Sequence, residues 1–91
     1  VRSLKELLIF YGEKLPQNKV LKIQVYILNK IDTLRQNPFG CQIELLLVNL
    51  QEGHRRLIVS KYIKVIYLIK GENIIITDIF DTRRDPSKMK T

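Results

Sequence analysis

The sequence is poor in the residues that build covalent or metal-centred chemistry. It has one cysteine, Cys41, so no disulfide can close within the chain and no multi-cysteine zinc site can form. With one histidine as well, His54, a closed structural metal site lacks ligands. The four glycines, Gly12, Gly40, Gly53 and Gly71, are scattered, which excludes a Gly-rich phosphate loop. Nothing has the pattern of a Ser/His/Asp or Cys/His constellation. No apolar run approaches the ~18 residues of a membrane-spanning helix; the uncharged apolar stretches are strand-length at most, residues 74–76 among them. No segment joins a charged head, an apolar middle and a small-residue cleavage site. A single thiol fits a reducing cytosol, so a cytoplasmic location is expected. The start at Val1 rather than Met leads to the expectation that an N-terminal piece is missing.

What is present describes one domain over residues 1–91. Hydrophobic residues make up 45% and charged residues 27%, too apolar for a disordered chain. A chain this short buries only about 60–65% of its extended surface, so the core must be compact. Sixteen Lys and Arg against nine Asp and Glu leave a net charge of +7. The excess is uneven: seven basic against five acidic residues over 1–54, and nine against four over 55–91. A solvated surface accounts for such charge, and so does a footprint for a polyanionic or acidic partner.

The first half reads as two helices. Ser3-Leu4-Lys5-Glu6 fits a capping box, and Leu4, Leu7, Leu8, Tyr11 and Leu15 then share one helical face. Pro16 stops this helix, expected over about 3–15. Asn18 is placed to cap a second, over about 18–36. Val20, Ile23, Ile27, Ile31 and Leu34 form its stripe, which Leu21 and Leu28 widen. Asn37-Pro38-Phe39-Gly40 is a stop. The short connection predicts an antiparallel helical hairpin.

The second half reads as a β-meander. Residues 41–53 match neither period and are expected as a loop with a short strand. Strands are expected over about 55–59, 62–70 and 73–81, where Ile, Val and Tyr dominate. Gly71-Glu72 suits a two-residue hairpin with Gly first, and Ser60-Lys61 another tight connection. Short connections make the neighbours antiparallel. Residues 82–91 form a polar tail with a short helical turn after Asp85-Pro86.

Strict alternation puts Ile63, Val65, Tyr67 and Ile69 on one face of the second strand, with Lys64, Ile66, Leu68 and Lys70 on the other. In the third it groups Ile74, Ile76 and Phe80 against Ile75 and Ile79. Asp78 and Asp81 fall on opposite faces and so are no acid–base pair. Both faces are substantially apolar, and a helical hairpin covers one. The other must be covered by the 41–53 loop, the tail or a partner chain. Cys41 is expected as a buried or half-buried thiol, His54 as an exposed or hairpin-supporting residue, and Tyr67 as core. The conspicuous polar feature is basic: Arg55-Arg56 opens the sheet, Lys61 and Lys64 flank Tyr62, and Arg83-Arg84 closes it. Gathered at one edge or face, they hold phosphates or dock an acidic protein surface.

The helical hairpin, the Asn37-Pro38-Phe39-Gly40 turn, Arg55-Arg56-Leu57-Ile58-Val59, Tyr62-Ile63-Lys64-Val65-Ile66-Tyr67 and Ile79-Phe80-Asp81-Thr82-Arg83-Arg84-Asp85-Pro86 together resemble the RelE/ParE toxin superfamily. These are the small basic toxins of type II toxin–antitoxin systems, also labelled plasmid stabilisation proteins. The resemblance runs from about Ser3 to Pro86. It rests on order and spacing rather than on one diagnostic motif. It implies an α+β fold: an N-terminal antiparallel helical hairpin packed on one face of a small antiparallel β-meander. The family's first edge strand is missing here.

The resemblance also implies a cognate antitoxin that folds onto the toxin by helix docking and strand addition. DNA is then met only through the antitoxin complex, and neither a membrane nor a cofactor is involved. ParE-like members poison DNA gyrase; RelE-like members cleave mRNA on the ribosome with sheet Lys and Arg residues and commonly a C-terminal Tyr or His. In this sequence Arg56 matches the strand-opening arginine, and Arg84 or Arg83 the arginine after the last strand. The tail beyond them has no Tyr or His, so the RNA-cleaving branch would lack its proton donor. A non-enzymatic ParE-like toxin is therefore the favoured reading, with Arg55, Arg56, Arg83 and Arg84 as target-binding residues. Ile66, Leu68, Ile75 and Ile79 are the antitoxin-binding candidates. The alternatives are a RelE-like endoribonuclease using Arg56, Lys61, Lys64, Arg83 and Arg84, and a non-toxic basic binding module derived from the family.

Overall fold

The computed structural model describes residues 2–91, with side chains from Leu4 onward. Helix α1 (Arg2–Gly12) and helix α2 (Gln17–Asp32) form the hairpin, and a 3₁₀ turn (Thr33–Arg35) extends α2. A sheet of order β1-β2-β3-β4 follows, with β1 (Gln42–Ile43), β2 (Arg55–Ile58), β3 (Ile63–Lys70) and β4 (Asn73–Asp81), all neighbours antiparallel. This is the expected α+β architecture.

The helix ends differ in detail from expectation. The capping box rests on the Ser3 side chain, which lies outside the described side chains; the Glu6 carboxylate meets Lys90 Nζ at 2.9 Å. At the second start, Asn18 is already helical. Pro16 sits at the cap with no side-chain cap bond, and its carbonyl accepts from Lys19 and Val20. Its extended backbone (φ −57°, ψ 148°) leads directly into the first turn, so no Asx cap is used.

The stripes pack as their periodicity dictates. Leu4, Leu7, Tyr11 and Ile27 bury against Val59, Ile63, Val65 and Ile79, with Leu8, Leu15, Val20, Ile23 and Ile31 around them. Leu21 and Leu28 do not widen the buried stripe. Both are about half exposed, because the sheet reaches only the inner side of α2. The run 45–50 forms a 3₁₀ helix (Leu45–Leu50), whose three-residue period explains why neither the helical nor the strand period fits. Of its apolar residues only Leu47 packs inward, while Leu45, Leu46, Val48 and Leu50 are exposed.

Lys70 pairs with Asn73 across Gly71-Glu72, and Gly71 takes φ +61°, the left-handed backbone that glycine permits. The β2–β3 connection is longer than expected. Val59 N–H donates to the Ile63 carbonyl, so residues 60–62 form the turn and Tyr62 precedes the strand.

One irregularity changes which residues face which layer. Ile66 pairs with Asp78 and Tyr67 with Ile76, so Thr77 is an extra residue in β4, a β-bulge. Strict alternation fails there. Ile79 joins Ile76 beneath the helices, whereas Phe80 joins Asp78 on the opposite face, correcting both expected groupings. Asp78 and Asp81 remain on opposite faces, as anticipated.

The chain covers much of its own second face, leaving Ile75 exposed. Ile66 and Phe80 pack with Met89 of the tail and Leu47 of the loop. The tail takes a 3₁₀ turn (Pro86–Lys88), capped by the Asp85 carboxylate, which accepts from Ser87 N–H. It is then tied down by Lys90 N–H donating to Asp78 Oδ2 at 3.0 Å. Among the described residues no helix is long and apolar enough to cross a membrane.

Candidate functional site

The basic residues of the sheet divide into three settings. The first lies on the face of Phe80. Glu44, 1% exposed, receives Lys64 Nζ on Oε1, and Arg56 Nη1 stands 3.6 Å from Oε2. Strand pairing places them: Arg56 opposes Ile66 and Lys64 opposes Phe80, so both project to the same face, while Glu44 follows β1. Leu46 N–H also donates to Glu44. Burial by itself would raise the Glu44 pKa. The hydrogen bonds from Lys64 and Leu46, with the Lys64 and Arg56 charges, outweigh it and hold the carboxyl below its ordinary value. Arg56 Nη2 donates to Gln42 Oε1 at 2.8 Å. Lys64 Nζ and the Arg84 guanidinium each lie 5.9 Å from the centre of the Phe80 ring.

The second setting is the end of β4. Arg83 grips Asp81 in a fork, Nε to Oδ1 at 3.0 Å and Nη2 to Oδ2 at 2.6 Å, and its amide adds a bond at 2.9 Å. Tyr11 O–H donates to Asp81 Oδ2 at 3.1 Å, tying α1 to the sheet. The Arg83 hydrogen bonds depress the Asp81 pKa, against burial; burial first, then the Asp81 charge, raises that of the Tyr11 phenol. Arg83 also stacks 4.3 Å above the Tyr62 ring, and Lys61 approaches the same ring at 5.3 Å.

Arg55 occupies the third setting. Its Nη1 donates to the Cys41 carbonyl at 2.6 Å, and the guanidinium covers Phe39. Tyr67, fully buried as expected, donates to the Pro38 carbonyl at 2.6 Å. Its phenol pKa is raised by burial and by the neighbouring Cys41 thiol.

Arg56, Lys64 and Arg84 are thus brought to one face, Arg55 and Arg83 are held apart from it by their own partners, and Lys61 is exposed beside Tyr62. Of the apolar candidates, Ile66, Leu68 and Ile79 are buried by the chain itself and only Ile75 is exposed. The reasons are the tail and loop over Ile66 and the bulge that turns Ile79 inward. His54 is buried rather than exposed, with Nε2–H donating to the Thr91 carbonyl at 3.1 Å beneath the tail. Cys41 is half-buried, as expected. Among the described residues no group of three or more His, Cys, Asp or Glu could hold a metal ion.

Sequence reasoning missed Glu44. Its signal was visible: it is the only acidic residue between Asp32 and Glu52, set at the head of an apolar run. It missed a cavity as well. About 730 Å³ opens between α1 and the turn after β4, lined by Glu6, Leu7, Phe10, Tyr11, Lys14, Leu15, Asp81, Arg83 and Arg84. Comparison with protein-family models, curated proteins and solved structures gives no match to this chain.

Proposed function

We propose that the chain is the toxin component of a type II toxin–antitoxin system and acts by binding a protein target, DNA gyrase in the ParE-like reading. The observation that carries the non-enzymatic reading is the pairing of the sheet cations. Arg56 and Lys64 share the buried Glu44, and Arg83 is forked on Asp81. Cations committed in this way are poor stabilisers of a new phosphorane charge, because the charge they would offer is already answered. The tail supplies no Tyr or His, and His54 is buried beneath it. The tail thus lacks the proton donor that the RNA-cleaving branch commonly keeps there. Arginine stays protonated at neutral pH and does not shuttle a proton.

A second reading has one observation in its favour. Lys64 and Arg84 converge on Phe80, and Arg84 makes no ion pair among the described residues. An RNA phosphate held there would fit a RelE-like endoribonuclease.

Inducing the chain alone in cells separates the two. DNA breaks with an SOS response support the gyrase-binding reading; cuts at codon boundaries in translated mRNA support the nuclease. Normal growth with neither readout overturns both and leaves a basic binding module. If Arg56→Ala and Arg84→Ala together leave toxicity unchanged, the basic residues are not the target surface.

A further inference from the structure

The cavity between α1 and the turn after β4 shares only Arg84 with the site on the Phe80 face. Its volume of about 730 Å³ lies within the range of about 300–1,000 Å³ typical of ligand clefts. Leu7, Phe10 and Tyr11 line it along α1, spaced so that one helical face supplies the apolar wall, and Leu15 extends that wall from the turn beyond the helix. Phe10, 43% exposed, is the part of that wall that meets water, while Leu7 and Tyr11 are buried.

The charges around it do not cancel. Asp81 is taken up by Arg83 and Tyr11, and Glu6 by Lys90. Lys14 and Arg84 are paired with no carboxylate among the described residues; each instead lies near an aromatic ring, Lys14 at 4.6 Å from Phe10. An apolar trough bordered by two uncommitted cations, on a chain of net charge +7, selects an occupant with apolar anchors and negative charge. Single-stranded RNA offers negative charge but needs open aromatic planes for its bases. Here two lining residues are leucines, Tyr11 is buried with its hydroxyl bound to Asp81, and the one exposed lining aromatic, Phe10, has Lys14 over its ring at 4.6 Å.

We infer that this cleft is the docking site for an acidic segment of a partner protein, which inserts large apolar side chains between α1 and β4 and sets carboxylates against Lys14 and Arg84. The inference rests on the toxin reading for the role of that partner, whereas the chemistry of the cleft is tested on the purified chain. The probe is a capped, fluorescently labelled synthetic helical peptide with Leu and Phe along one face and Glu at the remaining positions. Its counterpart carries Lys in place of every Glu.

The Glu peptide is expected to bind and the Lys peptide not. Lys14→Glu with Arg84→Glu should weaken binding about tenfold or more, a loss of about 1.4 kcal/mol. Phe10→Ser should weaken it as well. Lys70→Glu, the same charge change at the far β3–β4 turn, should leave it unaltered; circular dichroism confirms that each variant is folded. Equal binding of both peptides, no loss in the double reversal, or preferential binding of a short single-stranded RNA overturns the inference. Peptide binding without toxicity on induction removes the toxin reading and leaves the cleft assignment standing. Toxicity with no peptide binding does the reverse.

Discussion

Removing the Glu44 charge should destabilise the fold more than any surface substitution. In Glu44→Gln the shape is nearly kept, but Lys64, 8% exposed, loses the carboxylate that holds its ammonium. Breaking a buried pair from one side costs about 3–5 kcal/mol, since the remaining charge stays desolvated. Arg56 reaches water and can resolvate, so the lower end, about 3 kcal/mol, is expected. For a domain of this size that lowers Tm by roughly 12–24 °C. Urea unfolding at neutral pH reads the loss directly. Glu44→Gln with Lys64→Met should recover most of it, because the pair then leaves together. The pH dependence has a definite sign. The folded-state pKa of Glu44 is depressed, so its contribution is fully present above the ordinary value of 4.5 and is lost as pH falls through the lower folded value. Glu44→Gln should therefore flatten the stability profile in that acidic window. A loss below about 0.5 kcal/mol, or an unchanged acid profile, would refute the reasoning.

Three further outcomes follow from the same contacts. Tyr11→Phe removes a hydrogen bond to the ionised Asp81 and should cost about 1.5 kcal/mol by urea unfolding, with little change in circular dichroism. Met89→Ala opens the packing over Ile66 and Phe80 and should cost about 2 kcal/mol, with increased binding of a hydrophobic dye. Gly71→Ala places a Cβ at φ +61° and should cost about 1 kcal/mol, although open space surrounds the position.

Much of the fold was legible because its helices and strands obey their own periods. Leu4, Leu7, Tyr11 and Ile27 lie where a 3.6-residue repeat puts them, and Val65 and Tyr67 where alternation does. Illegibility began where a local device overrode the period. The 3₁₀ helix at 45–50 has a period of three, and Pro16 starts α2 without the side-chain cap that Asn18 suggested. The basic residues were visible in sequence, but their partners were not. Whether Arg56 meets Glu44 or a ligand depends on register across β1, β2 and β3, which no single-strand pattern encodes. The cleft was hidden for the same reason: α1 and residues 81–84 are far apart in sequence, and only their packing creates it.

The bulge at Thr77 gives β4 a spare residue. Nine residues of β4 lie against eight of β3, and the surplus is absorbed at one point. Excising Thr77 would straighten the strand yet leave every side chain from Asp78 to Asp81 on its present side. The strand can thus change length by one there without changing which layer each residue serves. The same local bend re-aims the end of β4, so the excision should alter the mouth of the cleft at Arg84 while sparing the core. Strand length and cleft shape are in this way adjustable at a single position, independently of the hydrophobic code written on either side of it.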